Sequence, residues 1–188
     1  MTTSNSSKLN GVNTHLLGGV LDSIKNRPTM AKATFSVKSE WDGGFSVTST
    51  CKDFRIGGQN IQRENGYSMV HDFPPQFSGE GKGPTVCEGC MASLGTCITQ
   101  TIIAHATAMG IEIDSINIDM EGDVDLRGFS GISSDVRPGA QQFRANIGIR
   151  SGSASKEQID QLYQIGKKLS PAIDTLTKGT SMIVINSS

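Results

Sequence analysis

Residues 83–109, GPTVCEGCMASLGTCITQTIIAHATAM, constrain this chain more than any other stretch. Gly83 and Pro84 close a glycine-rich run, and proline is favoured in the first turn of a helix. Beyond Pro84 the stretch holds no proline and only two glycines, Gly89 and Gly95. Met91, Leu94, Ile98 and Ile102 recur at three- and four-residue steps, the spacing of a helix with one buried side. Cys90, Leu94, Cys97, Thr101 and His105 fall on a neighbouring stripe. Ala92, Ser93, Gly95 and Thr96 are small enough to let another backbone come close. The stretch predicts a buried central helix, and it carries three of the four cysteines.

The rest of the chain predicts strands and helices arranged around it. Residues 1–12 are polar and read as a flexible N-terminus. Residues 13–30 read as a helical extension, with Leu16, Leu17, Val20, Leu21 and Ile24 on its apolar side and Pro28 as its stop. Ala33–Ser39 and Phe45–Lys52 alternate apolar and polar residues around WDGG, a hairpin signal, and a third strand is expected near Tyr67–His71. Residues 73–83 are a loop. After the C-cap signal Met109-Gly110, strands are expected at Ile116–Met120 and Phe143–Ile149, separated by a long loop over Arg127–Gly139. Ser155–Lys168 is a second helix with Ser155 as N-cap and Ile159, Leu162, Tyr163 and Ile165 inward. A break and short helical turn capped by Gly179 follow, and Met182–Ile185 is expected as a closing strand. The order is α+β, with one domain over residues 31–188.

A formal charge of −1 gives no electrostatic reason to expect nucleic acid or an anionic membrane. The first residues lack the basic-then-apolar layout of a signal peptide, and Thr, Gly and Gln interrupt the central helix as a membrane span. The expected location is cytoplasmic, where the cysteines stay reduced.

Three features carry candidate chemistry. Cys97 lies mid-helix between small residues; it is either a small buried hydrophobe or a nucleophile, and a nucleophile needs a positive group brought from elsewhere in the fold. Cys87 and Cys90 form a C-x-x-C in the first turns, where the helix dipole favours a thiolate and a redox dithiol is conceivable. A structural zinc site needs two such pairs, so no metal is expected, and nothing calls for a cofactor. GEGKGPT precedes the helix but lacks the order of a phosphate loop. His105 is two turns beyond Cys97, too far to act as its base, and His15 and His71 have no evident partner.

The stretch VCEGCMASLGTCITQTIIAHATAMGIEI resembles the helix motif of the OsmC/Ohr family, osmotically inducible protein C and the organic hydroperoxide resistance proteins. Glu88, Leu94 and Cys97 match its acidic residue, leucine and cysteine. SEWDGGFSVTS resembles the family's opening hairpin, MEGDVDLRGFSG one of its strands, and SPAIDTLTKGTSM its Cys-Pro segment. The resemblance covers roughly residues 31–186. It implies antiparallel sheets wrapped on two central helices in an intertwined homodimer, with a small hydroperoxide as substrate. It also implies that Cys97 attacks the peroxide as a thiolate and becomes a sulfenic acid, with Glu88 as a second catalytic residue. Three positions depart from the peroxidase set. Ser170 stands where the resolving cysteine would be, Cys87 where the catalytic Glu would be, and Gln76 precedes Phe77 where the loop Arg is expected; Arg55, Arg63 or Arg137 would have to substitute. A single-cysteine reaction with an external thiol as reductant is therefore expected. The alternatives are a catalytically silent member that binds a small apolar ligand at the dimer interface, or redox activity at Cys87 and Cys90.

Overall fold

The structure is a computed structural model and describes residues 7–186. Residues 1–6, part of the expected flexible N-terminus, lie outside the described residues. The chain divides into two compact units, one holding Asn13–Cys90 and the other Lys8–Val12 with residues from Met91 onward. The central helix passes from one into the other.

The first unit is built from meanders. After β1 (Lys8–Leu9) and β2 (Val12–Asn13), α1 spans Thr14–Asn26, capped by the Asn13 side chain accepting from the Leu16 N–H. None of its residues is buried, and Leu16, Val20 and Leu21 of the expected apolar side stand exposed. Strands β3 (Ala33–Thr34), β4 (Val37–Gly43), β5 (Ser46–Cys51), β6 (Phe54–Ile56), β7 (Gln59–Ile61) and β8 (Ser68–His71) follow. They form two antiparallel sheets, β4-β5-β8 and β3-β6-β7. The first is the predicted meander, with its turn at Gly43-Gly44. The second was not predicted; its hairpin turns at Gly57-Gly58, both at positive φ, a glycine pair that two-residue hairpins favour.

The second unit has the principal core. α2 spans Val86–Ala108, and its Leu94, Ile98, Ile102 and Ala106 are buried as the periodicity predicts. By length and composition it is the one helix among the described residues that could cross a bilayer, but those four side chains pack into protein. Gly110, at φ 72°, ends it: the Ile111 N–H reaches the Ala106 carbonyl and the Gly110 N–H that of Thr107, a Schellman cap. β9 (Ser115–Asp123) and β10 (Gln142–Arg150) pair antiparallel, with Ile118 opposite Ile147 and Ile116 opposite Ile149. Between them the expected loop holds one helical turn, α3 (Leu126–Phe129), capped by Asp125. α4 (Lys156–Leu169) starts with a capping box of Ser155 and Gln158, and α5 spans Pro171–Lys178. Ile98, Ile102, Ala106, Ile111 and Leu162 form one cluster, against which Ile165 of α4 and Ile173 of α5 pack. A Cβ on Gly166 would lie 2.8 Å from Ile102 Cγ1, so glycine is what lets α4 come this close to α2.

Several expectations are corrected. Residues 7–12 are not loose. Asn10 and Gly11, both at positive φ, form a tight turn, and the Asn10 amide bonds Thr107 Oγ1, the Ile111 carbonyl and the Ile113 N–H. Tyr163 points outward, because on α4 the inward line runs through Leu162 and Gly166. Met182–Ile185 forms no strand: no sheet edge takes it up, and its four side chains are between 78% and 86% exposed.

Candidate functional site

Cys97 sits midway along α2, half-buried, one residue from the core side chain Ile98. Its sulfur meets the first turn of α5. The backbone N–H of Ala172 donates to Cys97 Sγ at 3.5 Å, a contact between residues 75 apart in sequence. Sequence favours a helix start there, since Pro171 at its first position has no N–H to satisfy. Ile173 packs on the core and fixes the turn's place. Ser170, the N-cap residue, makes no side-chain capping bond. In an ordinary cap the serine oxygen accepts from the second or third N–H of the helix. Here the second N–H, that of Ala172, goes to sulfur, and the Ser170 hydroxyl is fully buried without a partner. Helix N-termini favour negative charge, and the group that faces the Cys97 sulfur here is the start of α5.

The first turn of α2 is arranged differently. The Glu88 carboxylate accepts from the Thr85 N–H at 2.7 Å and the Thr85 hydroxyl at 2.8 Å, while Thr85 Oγ1 accepts from the Glu88 N–H at 3.2 Å. This is a reciprocal cap, and its hydrogen bonds hold the Glu88 carboxyl below its ordinary range. Glu88 is thus committed to Thr85. Nine helical residues also place it about 13.5 Å from Cys97 along the axis and on the opposite side. What the structure shows of Glu88 is a helix cap at the start of α2. Thr-x-x-Glu before an apolar run is itself a capping signal. Cys87 and Cys90 are half-buried free thiols. Burial, and after it the neighbouring Cys90 and Glu88, push the Cys87 thiol up, against the thiolate the dipole was expected to favour.

Sequence reasoning missed Asp72. It is buried at the start of the loop leading to α2 and accepts backbone N–H bonds from Phe73, Glu80 and Lys82 at 2.8–3.1 Å. The Lys82 bond is the chief reason its carboxyl is held below the ordinary range. One buried carboxylate therefore sets the path of the glycine-rich segment. His71, beside it in sequence, packs its ring edge against Gly89; a Cβ there would lie 2.4 Å from His71 Nε2.

Of the substitute arginines, Arg55 and Arg63 belong to the first unit and Arg137 to the second. Arg63 donates to the Lys52 carbonyl and lies over the rings of Phe54 and Tyr67. Arg55 sits on β6 opposite Asn60, and the Arg137 carbonyl accepts from Gln141. Gln76 and Phe77 lie in a short 3-10 turn, Pro75–Phe77. Among the described residues no cluster of His, Cys, Asp or Glu suits a metal ion. Beside the core face of α2, Met91, Ala92, Gly95, Thr96, Ile118 and Met120 line an open groove of about 500 Å³.

A family model described as OsmC-like protein matches residues 79–184, more than half of the chain. The chain belongs to this family. No curated protein matches its sequence. Among solved structures it is similar to an OsmC-like protein from Mycoplasma pneumoniae, at TM-score 0.57 and 18% identity over 76% of this chain and 86% of that one. An OsmC-like protein of unknown function from Vibrio cholerae aligns at TM-score 0.52 and 8% identity, over 77% of this chain and 94% of the other. At such identities the likeness speaks for the fold alone, an α+β fold of antiparallel sheets and helices.

Within this OsmC-like fold the expected site divides. Cys97 and the turn that begins with Ser170 come together, whereas Glu88, Cys87 and Cys90 lie in the first turns of α2.

Proposed function

We propose that this OsmC-like protein is a single-cysteine thiol redox protein that reduces organic hydroperoxides through Cys97. The supporting observation is the Ala172 N–H on the Cys97 sulfur at the start of α5. An N–H donor and a helix N-terminus stabilise a thiolate, which is the form that attacks. A sulfur lone pair attacks the outer peroxide oxygen, the O–O bond breaks, and the alkoxide leaves and takes a proton as the alcohol. Sulfur, oxidised by two electrons, carries the oxygen as a sulfenic acid. Ser170 cannot close a disulfide, so an external thiol attacks the sulfur, water leaves, and a second thiol releases Cys97 from the mixed disulfide. We place the reaction in a homodimer in the cytoplasm, with no nucleic-acid or membrane partner. Only six hydrophobic residues are buried among those described, few for a chain of this length. The exposed apolar faces of α1 and Met182–Ile185 suit burial against a second copy.

A second reading is favoured by the groove beside Gly95: a catalytically silent member holding a small apolar molecule there. The test is turnover of an organic hydroperoxide with excess monothiol. Saturable loss of one hydroperoxide for every two thiols supports the redox reading. No turnover, with an apolar fluorescent probe still bound, supports the second.

A further inference from the structure

The first turn of α5 holds two polar groups that an isolated helix start would pair with each other. Ser170 is the N-cap and Ala172 the second helical residue, yet the Ala172 N–H donates to Cys97 Sγ. The Ser170 hydroxyl, wholly buried in the same turn, has no partner. A buried hydroxyl without a hydrogen bond is a cost that native structures rarely keep without a use. The reduced site lacks an acceptor that the oxidised site would contain: the oxygen on sulfur.

We infer that Ser170 and the first turn of α5 form a seat for the oxygen of a Cys97 sulfenic acid. The inference rests on the hydroperoxide reading and adds a role for Ser170, that of a positioning residue for the oxidised state. After the peroxide bond breaks, the oxygen left on sulfur is a strong acceptor. The Ser170 hydroxyl donates to it, and the Ala172 N–H faces the same centre. The oxygen atom, oriented in this way, is held until an external thiol attacks sulfur and displaces it as water. Ser170 thereby supports a stored sulfenic acid at the position where a cysteine would consume it. The specificity follows: the site serves a reductant that comes from outside the chain.

The experiment uses the full chain with stoichiometric tert-butyl hydroperoxide and no thiol. Sulfenic acid on Cys97 is trapped with dimedone at increasing delays and quantified by mass spectrometry. Wild type is expected to hold its sulfenic acid, and Ser170→Ala to lose it several-fold faster while melting no lower in the reduced state. Ser170→Cys is expected to replace the trapped adduct by a disulfide between Cys97 and the introduced thiol. An unchanged lifetime in Ser170→Ala overturns the inference but leaves the hydroperoxide reading intact. So does a Ser170→Cys variant that keeps its Cys97 sulfenic acid without forming the disulfide. No sulfenic acid in wild type overturns both.

Discussion

Two helices of this molecule begin beside a cysteine sulfur, and they deal with it in opposite ways. At the start of α2, Thr85 and Glu88 cap each other, and burial, with the neighbouring Cys90 and Glu88, leaves the Cys87 thiol pushed up. At the start of α5, Ser170 does not cap, Pro171 has no N–H, and the Ala172 N–H is turned onto a sulfur from another helix. A helix end saturated by its own side chains has little left to offer an anion. An end whose cap is withheld can offer it to a group brought in by the fold.

The largest effect that separates the two turns is on turnover. Cys97→Ser, nearly isosteric, should fold with an unchanged melting profile yet lose hydroperoxide turnover by roughly 100-fold or more, while the double variant Cys87→Ser/Cys90→Ser stays near wild type. The reverse ranking would move the chemistry to α2. Next comes Gly166→Ala, which drives a methyl group into Ile102 and Ile98; chemical denaturation should show a loss of about 1–3 kcal/mol. Because α4 leads directly into α5, turnover should fall with it. Thr85→Ala removes the α2 cap and should cost about 1 kcal/mol of stability with no change in turnover. Loss of activity in that variant would contradict the separation drawn here. Ser170→Ala should go the other way, stabilising the reduced protein by about 1 kcal/mol in the same assay, since it removes an unpartnered buried hydroxyl.

The smallest effect is a dependence on pH. Asp72 and Glu88 have folded carboxyls held below their ordinary values, so each stabilises the fold fully above about pH 4–5. That stabilisation is lost as pH falls through the lowered values. Melting temperature should therefore decline as pH falls below that range, and Asp72→Asn should flatten part of that decline.

Much of this was legible in the sequence for local reasons. The 3–4 spacing of Leu94, Ile98 and Ile102 gives the core face of α2, and Gly110 its end. Ser155 gives the start of α4, and WDGG the turn between β4 and β5. The Asn10-Gly11 and Gly57-Gly58 turns are equally local signals. Other features depend on which surfaces meet, which no local pattern encodes. Met182–Ile185 reads as a strand by composition, but a strand exists only where an edge pairs with it. The burial of Asp72 shows only when the N–H groups of residues 73, 80 and 82 converge on it. That the Ala172 N–H lies against a sulfur 75 residues away is likewise a fact of packing.

The deciding question is which sulfur is oxidised first. Organic hydroperoxide added in substoichiometric steps, followed by trapping and peptide mapping of all four cysteines, answers this directly. A sulfenic acid is expected on Cys97 before any change at Cys51, Cys87 or Cys90. A Cys87–Cys90 disulfide that forms while Cys97 stays reduced would contradict it.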